Sequence, residues 1–286
     1  MLKRKLWRMS FFCQGAYLII AASNGNNLLQ QDHQKITCEQ CTDTIASDDF
    51  INIPPVKLNG RAEKFAASYI KNNIESLERS KERGLRHFPM MDSVFSSYGL
   101  PVEIKYLSVV ESELNGNALS HVGAAGPWQL MPETARILGL RVNHKADERK
   151  YFKKSTVAAA KYIKDLYCEF GDWLLVMAAY NGGPGPVYKA IKKSGSRNFW
   201  KLQNFLPAET RGHVKRYIAT HYFFEGEGSI TTMTKTEMNA HLKMIDELYA
   251  KKAEEKNMQN KTSTDTLQST ANRKVISSSL LLIKSH

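Results

Sequence analysis

The sequence predicts an all-α protein. Three observations carry this. From Arg61 onward, apolar residues recur every three or four positions. Glycine stops and helix-start residues separate these segments at regular intervals. No convincing run of period-two alternation, the mark of a half-buried strand, appears anywhere.

The segments follow in order. "RAEKFAASYIKNNIESLERSKERG" reads as a helix stopped at Gly84. "FPMMDSVFSSYG" reads as a second, with Pro89 at its start and Gly99 past its end. "PVEIKYLSVVESELN" comes directly after, and a short helix "PETARILG" follows a glycine-rich loop. "STVAAAKYIKDLYCEFG" opens on Ser155 as N-cap and closes at Gly171. "DWLLVMAAY" is apolar throughout and should be the buried central helix, broken at "NGGPGP". "PAETRGHVKRYIATHYFFEG" is a further amphipathic helix, and "TKTEMNAHLKMIDELYAKKAEEK" a surface one.

With 286 residues the chain can bury one substantial core or two modest ones. Forty Lys and Arg against twenty-eight Asp and Glu give a net charge of +12. Such a surface favours an anionic partner. Basic-aromatic patterns of nucleic-acid modules are lacking, as are phosphate loops and the H-E-x-x-H zinc motif, so no nucleic-acid partner is expected.

The N-terminus joins a basic run (Lys3, Arg4, Lys5, Arg8) to an apolar stretch and small residues near Ala22, the layout of a secretory signal. An uncleaved membrane anchor is the alternative. The expected organisation is a signal peptide over 1–23, a polar linker over 24–60, a helical domain over 61–228, and a helix with a poorly ordered tail over 229–286. Export to the periplasm or cell envelope follows. Cys38 and Cys41 form a C-x-x-C outside any strand-helix unit, which favours a local disulfide or no role. Cys168 reads as a small buried side chain.

The chemistry concentrates in "ESELNGNALSHVGAAGPWQLMP", residues 111–132. Glu111 and Glu113 stand at opposite margins of the apolar face of their helix, and periodicity cannot choose between them. A carboxyl partly shielded at a cleft rim can hold a proton and deliver it as a general acid. The glycines let backbone approach a ligand. Trp128 is either core or a platform for sugar stacking, with core favoured, and the alternative reading of Asn181 is a plain helix C-cap.

The ordered motifs "ES", "NALSHVGAAGPWQLMP", "AAYNGGPGPV" and "PAETRGHVKRYIA" resemble those of lytic transglycosylase domains. "RHFPMMDSVFSSYGLPVEIKYLSVVES" further resembles the membrane-bound lytic murein transglycosylase D group, without its LysM repeats. The resemblance spans about residues 61–228. It implies a mostly helical, lysozyme-like fold related to goose-type lysozyme, cleaving peptidoglycan glycan strands. By the same mapping the catalytic acid is Glu111, and Glu113 falls at a variable position. Ser120, Gln129 and Met131 map to loop positions lining the sugar site, Tyr180 and Asn181 to positions beside the catalytic carboxyl, and Ser112 to a structural one.

Two departures stand out: Gly116 where the family usually has proline, and His213 where it usually has tyrosine. The implied reaction uses one carboxyl and needs no metal or cofactor. The implied partner is peptidoglycan, with peripheral membrane association left open. A hydrolase of the same bond would need a second carboxylate, for which Glu133, Asp147 and Asp172 are candidates. A non-catalytic wall-binding protein is the other alternative.

Overall fold

The computed structural model describes residues 54–258. The signal segment, Cys38 and Cys41, most of the linker and the tail beyond 258 lie outside the described residues. Within them the all-α class is borne out: the β pairing consists of isolated bridges only.

Residues Pro55–Met238 form one compact unit. It opens with α1 (Gly60–Ser97), capped by the Asn59 side chain, which accepts from the Ala62 N–H at 3.0 Å. After a 3-10 turn at Val102–Lys105 come α2 (Tyr106–Ser112), a long loop, and α3 (Pro132–Ile137). Then follow α4 (Phe152–Phe170), α5 (Trp173–Gly182), α6 (Pro184–Ser194), α7 (Phe199–Leu202) and α8 (Ala208–Glu225). The chain is helical again over 235–258, as expected; residues beyond Met238 fall in a second unit.

As predicted, α5 is the central helix: every residue from Trp173 to Tyr180 is buried. It packs against α4, α6 and α8, while α8 also lies along α1 and α2. A helix apolar on all sides belongs in the middle of a core. Asp172 caps α5 by accepting from the N–H groups of Leu174 and Leu175, and also accepts from the Lys235 N–H at 2.6 Å. That carboxyl is therefore a structural clamp.

The structure corrects four local expectations. Gly84 does not stop a helix: α1 runs through both Gly84 and Pro89, because the Phe88 ring packs over the glycine where any Cβ would clash. The break in helical geometry sits earlier, at Asn73, whose side chain donates to the Tyr69 carbonyl at 2.7 Å. Ser155 is not an N-cap: α4 starts at Phe152, and the Ser155 hydroxyl donates back to the Tyr151 carbonyl. Cys168 is exposed, lying off the face that Ile163, Leu166 and Phe170 bury. The helix bearing Glu111 ends at Ser112, three residues short of Asn115.

His221 on α8 is fully buried beside Tyr106 and Tyr217. Burial pushes its pKa down from 6.5 to about 4. The unfolded chain therefore takes up a proton near pH 6.5 that the folded ring refuses until about pH 4. Stability should be full above pH 6.5 and fall as pH drops towards 4, by roughly 3 kcal/mol in all. Urea unfolding at several pH values checks this. The slope should be weaker in His221→Leu, and an unchanged slope would contradict the expectation.

Candidate active site

The site is built where α2 stops. Its last turn ends on Glu113, which adopts the left-handed conformation (φ +54°) and is followed by Leu114 at φ +57°. Gln129 is the third non-glycine residue with positive φ among the described residues. Glu113 and Gln129 line one cleft while Leu114 turns into the core, and strain of this kind persists only where surrounding contacts enforce it. Leaving the helix early brings Glu113 to the same cleft as Glu111, although a continuous helix would have kept them on opposite margins.

The cleft, about 300 Å³, is lined by Glu111, Glu113, Ser120 and Gln129, together with Arg83 from α1. Arg83 donates to the Glu113 carbonyl at 2.8 Å, so α1 holds the left-handed turn in place. A second cleft, about 440 Å³, lies at the start of α1; its one carboxyl, Glu237, accepts from the Thr234 N–H and hydroxyl. The smaller cleft is the one that gathers Glu111, Ser120 and Gln129.

The loop floor is held by backbone and one buried arginine. Ala125 and Leu130 exchange N–H···O bonds of 3.1 and 3.2 Å, and Gly126 donates to the Ala118 carbonyl at 2.9 Å. Gly126 has φ +80°, and a Cβ there would run into the Arg149 carbonyl. Arg149 is almost fully buried and donates to the Gly123 and Leu130 carbonyls while paired to Asp147. Sequence reasoning missed Arg149. Asp147, a candidate second carboxylate, is tied up in that pair, and its pKa is lowered mainly by the Arg149 hydrogen bond.

Gln129 donates its amide to the Gly126 and Ala118 carbonyls at 2.9 and 3.3 Å, leaving its carbonyl oxygen as the group it can offer a ligand. The Ser120 hydroxyl accepts from the Ala124 N–H at 2.9 Å. Ser112 donates towards the Ser108 and Pro127 carbonyls, joining α2 to the loop. Met131, at the N-cap of α3, and Asn181, in the last turn of α5, are not among the cleft-lining residues. The C-cap of α5 is Gly183, at φ +78°.

Trp128 is core. It is fully buried, edge-on to Phe95, with its indole N–H donating to Thr156 at 2.9 Å. Its carbonyl accepts from the Tyr180 hydroxyl at 2.7 Å. Tyr180 is buried, and burial, with the Glu111 charge second, raises its pKa well above the usual value.

The residue that meets Glu111 directly is His213. Its Nε2 lies 2.9 Å from Glu111 Oε1, and both side chains are largely buried, 2% and 11% exposed. α8 can come this close because Gly182 gives way to Thr210, one turn before His213; a Cβ on Gly182 would sit 2.6 Å from the Thr210 hydroxyl. Gly116 also has a physical account. A Cβ there would lie 3.0 Å from the Phe152 ring, which stacks on His87 at 3.6 Å between centroids. An aromatic pair fills the space beside the loop entry, and a proline ring would crowd it.

Residues 96–203 match the family "Transglycosylase SLT domain". This stretch of the chain is similar to that family over 108 of its 286 residues. The mostly helical class expected above is borne out among the described residues. The chain is 42% identical over 125 residues to membrane-bound lytic murein transglycosylase D of Escherichia coli K12, covering 42% of this chain and 27% of that relative. It thus spans about a quarter of the length of that curated relative. Solved structures similar to it include the lytic transglycosylase Slt of Pseudomonas aeruginosa, with 25% identity, TM-score 0.43, and 49% of this chain and 24% of that one covered. Another is the 70 kDa soluble lytic transglycosylase Slt70 of Escherichia coli, with 24% identity, TM-score 0.44, and 62% and 32% covered.

Proposed function

We propose that the protein is a peptidoglycan lytic transglycosylase, cleaving the β-1,4 bond between N-acetylmuramic acid and N-acetylglucosamine with formation of 1,6-anhydromuramoyl ends. The observation that carries this is the Glu111 carboxyl, nearly buried yet lining a cleft of the SLT domain. Protonated Glu111 gives its proton to the glycosidic oxygen as the C1–O bond breaks. The substrate's N-acetyl group stabilises the positive charge at C1. Ionised Glu111 then takes the proton of the muramoyl C6 hydroxyl, whose oxygen bonds to C1. No water is consumed, and Glu111 ends protonated as it began.

The Ser120 hydroxyl and the Gln129 carbonyl oxygen contact the sugars in this reading, and Arg83 faces the carboxylates of the stem peptides. An exported, envelope location fits the basic, then apolar N-terminus.

One observation favours a second reading, hydrolysis of the same bond: Glu113 lines the same cleft and could activate water. Purified peptidoglycan digested with the wild-type protein and weighed by mass spectrometry separates the two. Muropeptides lighter by one water mean the lyase, whereas hydrated products mean the hydrolase. For the lyase, Glu113→Gln should lower kcat by no more than about tenfold. A loss equal to that of Glu111→Gln would place both carboxyl groups in the chemistry.

A further inference from the structure

A general acid that later acts as base must present one defined oxygen to substrate, and a carboxyl has two. In this cleft the neighbours that could restrain it are mostly engaged elsewhere. The Tyr180 hydroxyl donates to the Trp128 carbonyl, and both Gln129 amide contacts are to backbone carbonyls. The Ser112 hydroxyl is tied to the Ser108 and Pro127 carbonyls. The group placed on Glu111 is the His213 ring, 2.9 Å from Oε1.

The other ring nitrogen decides the tautomer. His213 Nδ1 is buried and has no hydrogen-bond partner among the described residues. A neutral imidazole carries one hydrogen, on either nitrogen. With the hydrogen on Nδ1, the protein would bury an N–H without an acceptor and set the Nε2 lone pair against Oε1. With it on Nε2, the ring donates to Oε1 and leaves only a lone pair unmatched at Nδ1. Orphaned buried N–H groups are the rarer and costlier case.

We propose that His213 is a positioning residue that donates its Nε2–H to Oε1 of Glu111 in both protonation states of the carboxyl, so that Oε2 is the oxygen that delivers and retrieves the proton. This rests on Glu111 being the acid of the reaction above. When Glu111 is protonated its hydrogen sits on Oε2, and Oε1 accepts from His213 as a carbonyl oxygen. When Glu111 is ionised the same bond becomes charge-assisted and stronger, with no rotation of the carboxyl. The imidazole thus keeps its own hydrogen throughout. It supplies a donor from α8, a helix that Gly182 and the close Thr210 contact hold against α5.

The test uses three substitutions in the full chain, each read by kcat and KM on peptidoglycan. His213→Gln places an amide N–H near the position of Nε2, His213→Asn places it near Nδ1, and His213→Leu removes it. The expected result is kcat lowered about 100-fold in the Asn and Leu variants with KM changed less than about threefold, and His213→Gln within about tenfold of wild type. A folded His213→Gln as impaired as His213→Leu would overturn the proposal. So would an Asn variant as active as the Gln variant.

Nitrogen-15 spectra of histidine-labelled protein test the tautomer without turnover. Nε2 should show a protonated signature and Nδ1 a bare one, in wild type and in Glu111→Gln alike, since the glutamine oxygen can still accept. A hydrogen on Nδ1 in either protein would overturn it. If the wild-type protein releases no muropeptides, the proposed activity fails, while the spectra still decide the His213–Glu111 bond.

Discussion

Replacing Glu111 with glutamine should reduce muropeptide release at least about 1,000-fold while leaving the fold intact. Glutamine has nearly the same shape, and its carbonyl oxygen can accept from His213 as Oε1 does, so the buried contact at 2.9 Å survives. What disappears is the proton. An amide cannot protonate the glycosidic oxygen, nor take a proton from the C6 hydroxyl afterwards. Turnover is measured by release of soluble muropeptides, folding by thermal melting, and binding by co-sedimentation with insoluble peptidoglycan. The melting temperature and the bound fraction should match wild type. Activity within tenfold of wild type in a folded Glu111→Gln would remove Glu111 from the chemistry.

Gly126→Ala should be the most damaging single methyl in the loop between α2 and α3. Two costs combine at this position. An alanine at φ +80° is strained by roughly 1 kcal/mol. Its Cβ would also lie 2.6 Å from the Arg149 carbonyl carbon and overlap the oxygen, a backbone group that cannot swing aside. Arg149 in turn holds the Gly123 and Leu130 carbonyls, so the displacement spreads through the loop that carries Ser120 and Gln129. The expected loss is about 3 kcal/mol or more, a fall in melting temperature of roughly 6–12 °C, with activity reduced further than stability explains. Gly123→Ala is the control: its φ is +85° but nothing lies within 4 Å of a Cβ there. It should show only the strain. Equal shifts in the two variants would mean that contact with Arg149 plays no part.

Much of the fold was legible because helices announce themselves locally. The apolar stretch from Trp173 to Tyr180 could only be a core helix, and Asp172 and Gly171 mark its approach. Errors came where an aromatic ring, near or far along the chain, overrode a local signal. Gly84 and Pro89 read as stop and start, yet Phe88 covers the glycine and the helix continues. Ser155 reads as a cap, yet the helix begins earlier, at Phe152, whose ring stacks on His87 from α1. Trp128 was correctly weighted towards the core, where its N–H finds Thr156.

The candidate site was legible as motifs and not as geometry. Residues 111–132 stood out by composition, and three of the four ordered motifs fall within residues 96–203, which match the SLT family model. Sequence alone settled the all-α class and the presence of a carboxyl beside a glycine-rich loop, because both depend on near neighbours along the chain. Tertiary structure decided the rest. It turned Glu113 into the cleft through a left-handed residue held by Arg83, locked the loop with Arg149, and set His213 on Glu111 across 102 positions of sequence. Those contacts depend on how closely α8 and α1 approach α2, and helix approach is set by side-chain volumes meeting across the core. No spacing within a single segment records that distance.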